Sequence, residues 1–305
     1  MGSTSVSPDR NRRSLGPPRR KPRRVPAAAG KAYGRVLAHL DSRTLALWTL
    51  GPGPRVPFFR WFVRLFGFPE LAAHRRFRQV EEQLGRAGGR VVLDLGAGAG
   101  LYSLADAIRR PDTTHVLADV SRRHMQRATV TSRSVGLGAS GVVSSAEAVP
   151  FAADSVDTVL MIEVLQFIDD DVGVVGEIGR VLRPGGVWVC EQEQMPDDAP
   201  LKTAEQQERN EDRLTKRRAG YSAPRLRDLA ARNGLVLESS RVVSGRISRW
   251  WEGVGARILG RSRALHIMIF PLVRVLAALT RLLPPEAEPG TVLYVFRKHG
   301  TAPSR

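Results

Sequence analysis

Short apolar runs along the middle of the chain end in an acidic residue or in glycine, and they predict the strands of a sheet. The clearest run covers residues 91–95 and contains Asp94, after which glycines alternate with alanines up to position 100. A second run at 115–119 ends in Asp119, and apolar runs at 235–243 and 291–297 predict two later strands. Ser222 as an N-cap, an early proline and the Asn-Gly pair at 233–234 mark the ends of a helix.

The turn after the first strand is predicted to bind a ligand. Gly96, Gly98 and Gly100 lack the Cβ atoms that would hold a ligand away from the backbone, and they allow positive φ where a strand turns into a helix. A dinucleotide fingerprint would need a small residue at position 101, where this chain has Leu101. Asp94 suits a cationic amino group better than a pyrophosphate, so a ligand with a zwitterionic amino-acid tail is favoured.

The second strand predicts a partner for a ribose. Asp119 follows the glycines by about twenty residues, where nucleotide-binding folds hydrogen-bond a ribose. Ser121 is then expected to cap a helix, and Val120 and Met125 to line the adenine side of the pocket. The alternative is an aspartate that merely ends a strand ahead of a core helix.

The sequence Asp-Leu-Gly-Ala-Gly-Ala-Gly at 94–100 resembles the first motif of class I S-adenosylmethionine (SAM) dependent methyltransferases. Residues 146–160 resemble the adenine-contact loop and fourth strand of that family, and residues 183–189 resemble its turn into the fifth strand. The resemblance covers residues 91 to about 192 and extends to quinone-biosynthesis C-methyltransferases. It implies an α/β, Rossmann-like sheet of seven strands in the order 3-2-1-4-5-7-6, with strand 7 antiparallel and helices on both sides.

The resemblance also implies SAM as the cofactor and a set of residues that hold it. Many relatives carry an aspartate just before the Ala-Glu pair, where this chain has Ser144 and Ser145, so Ser145 or the backbone is expected to bind the adenine amino group. The predicted cofactor-binding residues are Asp94, Gly96, Ala97, Gly98, Gly100, Asp119, Val120, Met125, Ser145, Ala146, Glu147 and Glu163.

A general base is optional, because the methyl group of SAM is already activated and the protein must mainly align the acceptor and exclude water. Open α/β sheets bind ligands at the carboxyl ends of their strands, where Glu163, Gln166, Glu191 and Glu193 fall. Glu163 is expected beside the methionine part of SAM. Glu191 and Glu193 are the candidates for a base, with solvated or structural roles as the alternative.

Composition indicates one main domain with additions. The chain has 305 residues, 42% of them hydrophobic, and its one cysteine, Cys190, lies in the predicted fifth strand and suits core packing. No zinc-ligand spacing occurs among the histidines, so no metal is expected. We predict a disordered basic tail at 1–30, a helical cap at 31–86, the SAM-binding domain at 87–244, an amphipathic helical insertion at 245–289, and the last strand and tail at 290–305.

The cap and the insertion predict an apolar acceptor. The cap contains Trp48, Trp61 and five phenylalanines between positions 58 and 68, and the insertion contains Trp250 and Trp251. Leucine and isoleucine recur at helical spacing over 265–283, opposite arginines, which is consistent with contact at a membrane surface or with packing against the main domain or a second subunit. Proline and arginine within this stretch argue against a spanning helix.

The sequence therefore favours a methyltransferase that acts on a hydrophobic small molecule, such as a quinone precursor, polyketide, terpenoid or lipid-like acceptor, in the cytoplasm or peripherally at the inner membrane face. An RNA or protein methyltransferase is the enzymatic alternative, since the formal net charge is +17. No Asn-Pro-Pro-Tyr motif follows the fourth strand, which argues against nucleic acid. A non-catalytic protein that binds SAM or docks to membranes is the third reading.

Overall fold

The computed structural model describes residues 71–195, 220–245 and 289–300, together with Val36. The predicted basic tail, nearly all of the cap before residue 71 and the insertion from 246 to 288 lie outside the described residues. Those ranges contain Trp48, Trp61, the phenylalanines at 58–68 and the leucine pattern at 265–283, whose roles stay predictions.

Seven strands and five helices are described. The strands are β1 (Val91–Leu95), β2 (Thr114–Asp119), β3 (Ser140–Val143), β4 (Val156–Ile162), β5 (Leu182–Glu193), β6 (Leu235–Gly245) and β7 (Pro289–Lys298). The helices are α1 (Leu71–Ala87), α2 (Leu101–Arg109), α3 (Arg122–Ser134), α4 (Asp171–Val181) and α5 (Ala223–Ala231), with a short 3-10 turn at Leu165–Phe167.

The strands form one sheet in the order β3-β2-β1-β4-β5-β7-β6. Pairing is parallel from β3 to β5, whereas β7 runs antiparallel to both β5 and β6. The predicted order and the antiparallel seventh strand are confirmed. Because Asp94 pairs with Leu117 on one side and Leu160 on the other, the carboxyl ends of β1, β2 and β4 meet at one edge.

Side-chain caps begin the helices where the sequence predicts them. The hydroxyl oxygen of Ser121 accepts from the backbone N–H of His124 at 3.2 Å, and that of Ser222 accepts from Arg225 at 3.2 Å. Asp170 caps α4 in the same way, accepting from the N–H of Gly173 at 2.8 Å. Both predicted serine caps are confirmed.

Each face of the sheet is covered by its own helices, and alternate residues of the strands divide between two apolar clusters. Val92 and Val189 pack with residues of α1, α2 and α3, and Val36 joins this cluster. Leu93 and Trp188 pack on the other face with residues of α4 and α5. Cys190, 0% exposed, belongs to the second cluster, as predicted.

The fifth strand begins earlier than the sequence pattern indicates. Arg183, Pro184 and two glycines, expected as a turn, are included in β5, and the register with β4 shifts between Val156 and Thr158 to accommodate them. This irregularity lies at the opposite end of β5 from Glu191.

Among the described helices, none combines the length and the apolar composition that a bilayer span requires.

Replacing Phe296 with alanine is expected to reduce the free energy of unfolding by about 3 to 5 kcal/mol. The ring is 0% exposed and stacks on Trp188 with centroids 5.0 Å apart, so truncation leaves a cavity between β5 and β7. Val236 on β6 is 47% exposed, and Val236→Ala is expected to cost less than about 1 kcal/mol. Urea denaturation of both variants checks this, and equal losses would contradict the packing described.

Candidate functional site

The glycine turn between β1 and α2 is held by backbone hydrogen bonds to the neighbouring strand. The N–H groups of Gly96 and Ala97 both donate to the carbonyl oxygen of Ala118, at 2.8 and 3.1 Å. Gly96, Gly98 and Gly100 have φ values of 69°, 55° and 73°, which L-residues rarely adopt. Residues 96–99 are only partly buried, so the turn presents backbone at the carboxyl edge of the sheet.

Space around the turn differs between its glycines. A Cβ at Gly96 would lie 2.4 Å from Cγ2 of Val164, and one at Gly100 would lie 2.3 Å from Cδ2 of Leu117. At Gly98, nothing lies within 4 Å of the same position. The middle of the turn is therefore open, as a site for a molecule lying against the backbone requires.

Asp119 ties this turn to the end of β2. Its Oδ2 accepts from the N–H of Gly98 at 2.9 Å, and its Oδ1 accepts from the N–H of Ser121 at 2.8 Å and lies 3.3 Å from Nδ1 of His124. Burial alone would raise the pKa of Asp119, but these hydrogen bonds outweigh it and hold the pKa below its usual value. Asp119 is thus kept as a carboxylate beside the turn.

Asp94 lies beneath the turn and near Asp119. It is 3% exposed, and its Oδ2 accepts from the hydroxyl of Ser103 on α2 at 2.7 Å. Burial raises the pKa of Asp94 to about 7; the Ser103 hydrogen bond opposes this shift and the charge of Asp119 adds to it. The structure brings the two predicted carboxylates to the same side of the molecule.

The residues predicted to contact adenine divide between surface and core. Val120 is 54% exposed, and Ser145 and Glu147 are also exposed, with the hydroxyl of Ser145 accepting from the N–H of Glu147 at 3.2 Å. Ala146 is partly buried against the core. Met125 is 4% exposed within the core, with its sulfur 3.4 Å from the point where a Cβ on Gly141 would lie.

Arg76 of α1 joins two carboxylates at the ends of β4 and β5. Its Nε donates to Oε1 of Glu191 at 2.7 Å, and Nη2 donates to Oε1 of Glu163 at 2.8 Å. The side chain of Glu191 is 0% exposed, whereas that of Glu163 is 39% exposed. Tyr102 of α2 lies beside Arg76, and burial raises the pKa of its phenol. Arg76 therefore links Glu163, which was predicted to bind the cofactor, to Glu191, which was a candidate for a general base.

Glu163 has an unusual backbone for a residue with a side chain. Its φ is 56°, and its conformation is supported from both sides, since its N–H donates to the carbonyl of Glu191 at 3.0 Å and its own carbonyl accepts from the amide of Gln166 at 3.2 Å. Strained residues of this kind cluster at functional sites. Glu193 lies two positions beyond Glu191 on β5, partly buried and paired with Thr291 of β7.

Sequence reasoning did not identify Arg76, Tyr102, Ser103 or His124. Arg76 lies 87 and 115 positions from its two partners, on a helix that carries several other arginines, so no local pattern distinguishes it. His124 and Ser103 stand within the first turns of the helices that follow Asp119 and the glycines. Their spacing of five and nine residues from the two aspartates was the only available signal.

The profile of the methyltransferase domain family matches residues 93–190, which span β1 to most of β5. That range contains the glycine turn, Asp119 and Glu163. Residues 93–190 therefore match a methyltransferase domain over about a third of the chain. The resemblance seen in the sequence and the cofactor it implied are confirmed at this level.

Curated relatives match about a third of the chain. The chain is 33% identical over 95 residues to a ubiquinone biosynthesis O-methyltransferase of Parvibaculum lavamentivorans, covering 31% of this chain and 37% of that protein. It is 35% identical over 116 residues to a ubiquinone/menaquinone biosynthesis C-methyltransferase of Desulfotalea psychrophila, covering 38% and 46%. The alignments thus span less than half of each relative.

A solved structure shares the fold of the methyltransferase domain over a longer range. A geranyl diphosphate methyltransferase in complex with GPP and sinefungin superposes with a TM-score of 0.54 at 17% identity, covering 74% of this chain and 78% of that one. At this identity the likeness concerns the fold alone.

Two variants, Gly96→Ala and Gly98→Ala, test separately the need for positive φ in the turn and the need for space beside it. Both variants place a Cβ at positive φ, which costs about 1 to 2 kcal/mol. Only Gly96→Ala also forces Val164 aside, which adds about 1 to 3 kcal/mol. Chemical denaturation is expected to show the larger loss for Gly96→Ala, and the reverse order would contradict the geometry of the turn.

Proposed function

We propose that this protein transfers a methyl group from SAM to a hydrophobic small molecule. The observation that carries the proposal is the open backbone at Gly98, placed between Asp119 and Glu163 at the carboxyl edge of the sheet within the matched domain. Bound SAM would supply a methyl group already activated on a sulfonium. The protein would then bind, orient and shield the two reactants.

The residues of this edge fit the parts of the cofactor. The carboxylate of Asp119 has about four lone-pair sites, so it can accept from a ribose hydroxyl while it keeps its contacts with Gly98, Ser121 and His124. Val120, exposed directly after Asp119, offers an apolar surface to adenine. Asp94, oriented by Ser103, lies below Gly96, where a methionine ammonium would reach it directly or through water.

The apolar nature of the acceptor is supported by the relatives and by composition. Matched relatives are named for ubiquinone biosynthesis, and a structural neighbour was solved with GPP. The cap and the insertion, which hold Trp48, Trp61, Trp250 and Trp251, adjoin the methyltransferase domain in sequence and would cover an acceptor at this edge. Contact of 245–284 with a membrane surface, at the cytoplasmic face, belongs to the same hypothesis and rests on the sequence pattern.

The net charge of +17 favours a second candidate, an RNA or protein methyltransferase. A filter-binding assay with a salt titration distinguishes the two. Tight RNA binding that weakens steeply with salt, in a protein lacking residues 1–30, would support the second candidate against the first.

Replacing Asp119 with asparagine is expected to weaken binding of S-adenosylhomocysteine (SAH) about tenfold or more, since hydrogen bonds to a charged group contribute about 1.5 to 3 kcal/mol. Isothermal titration calorimetry measures this directly. Asp228→Asn on α5 is the matched control, because Asp228 is exposed and pairs with Arg232. Wild-type protein that binds neither SAM nor SAH would refute the proposal.

The protein is incubated with an apolar extract of the cells that express it and with SAM whose methyl group is deuterated. We expect a hydrophobic compound of the extract to be labelled. Mass spectrometry would detect the added methyl, and heat-inactivated protein is the control. Label that appears only in RNA or in protein would contradict the proposed acceptor class. Binding of SAM without any labelled product would favour a non-catalytic role.

A further inference from the structure

One guanidinium faces two carboxylates at the ends of β4 and β5. Arg76 contacts Oε1 of both Glu163 and Glu191, at 2.8 and 2.7 Å. Oε2 of Glu191 is buried and, within the described part of the chain, has no hydrogen-bond partner. With both acids ionised, these three residues carry a net charge of −1. We call them the Arg76 cluster.

The Arg76 cluster adjoins the glycine turn on the side away from Asp119. Val164, which follows Glu163, touches the place of the missing Cβ of Gly96, whereas Asp119 binds the N–H of Gly98. A SAM molecule with its ribose at Asp119 and its amino-acid tail over Gly96 would hold its sulfur between these two acidic groups. This step rests on the proposed function.

Cofactor and product differ in charge at that sulfur. SAM carries a sulfonium cation, whereas SAH carries a neutral thioether, and the rest of the two molecules is the same. In a partly buried site, a fixed negative charge acts far more strongly on a nearby cation than it would in water. A site with net negative charge there discriminates between the two forms.

We propose that the Arg76 cluster is a charge-selective site for the sulfur of the cofactor, which favours the sulfonium of SAM over the thioether of SAH. Glu163, half-exposed and held by Arg76, supplies the more accessible negative charge of the cluster. Glu191 lies beneath it and sets the total charge of the cluster. Loss of the sulfonium charge during methyl transfer then weakens binding of the product and promotes its exchange for fresh SAM.

The selectivity is expected to depend on pH through Glu191. The described groups that face Glu191 are Arg76 on α1, Glu163 after β4 and Tyr102 on α2, with Cys190 adjacent on β5. Burial raises the pKa of Glu191 to about 7, with Arg76 opposing the shift. Below this pH Glu191 is neutral and the cluster carries no net charge; above it the charge is −1. The ratio of SAM affinity to SAH affinity should therefore rise with pH between 6 and 8.

Calorimetric titration of full-length protein with SAM, SAH and sinefungin tests the inference without an acceptor. Sinefungin carries an amine in place of the methylated sulfur, so it serves as a stable cationic probe. Glu163→Gln retains an oxygen for Arg76 but removes the charge. We expect this variant to lower the affinity for SAM and sinefungin about tenfold or more, and the affinity for SAH less than about threefold. Glu191→Gln should remove the pH dependence of the SAM to SAH ratio.

Glu238→Gln is the matched control, because Glu238 on β6 also pairs with an arginine, Arg297, but lies away from the turn. It should leave the affinities for all three ligands and their pH dependence unchanged. Equal losses of SAM and SAH in Glu163→Gln, or a pH-independent ratio in the wild type, would overturn the inference while leaving the proposed function intact. Wild-type protein that binds none of the ligands would overturn both.

Discussion

Parallel pairing of β1 with both β2 and β4 is the constraint on which the candidate site depends. The register sets Leu95 opposite Ala118 and Asp94 opposite Leu160, so the turn after β1 emerges between the ends of two neighbouring strands. The carbonyl of Ala118 then holds the first two N–H groups of the turn. This shared edge positions the open backbone at Gly98 and the carboxylates of Asp119 and Glu163 on either side of the turn.

Local sequence patterns were sufficient for the parts of the site that are built within a few residues. Asp94 was predicted because it stands two residues before the first glycine of the turn, and Asp119 because it ends the next apolar run. Ser121 and Ser222 were predicted because a serine before a helix satisfies its first N–H groups. The sheet order followed from the family resemblance and not from the strands themselves, since period and length leave the order of strands open. The burial of Met125 in the core likewise depends on tertiary packing against β3.

The contacts that could not be predicted from the sequence are those between residues far apart along the chain. Arg76 stands among similar arginines on α1, and only the packing of that helix over β4 and β5 selects it as the partner of Glu163 and Glu191. A buried carboxylate with a strongly raised pKa is also invisible in a linear pattern, because desolvation depends on what surrounds the group. The charge balance of the site is therefore a property of the fold, although its individual carboxylates could be identified beforehand.

The antiparallel pairing of β6 with β7 brings both attachment points of the intervening segment together. Gly245 pairs with Pro289, and the carbonyl of neighbouring Gly290 accepts from the N–H of Gln194, just past the end of β5. The entropy of closing a loop grows only slowly with its length, so residues between two such fixed ends can be lengthened, shortened or replaced at little cost to the sheet. Changes in the length or composition of this segment are therefore compatible with an unchanged pairing of β6 with β7 and an unchanged glycine turn.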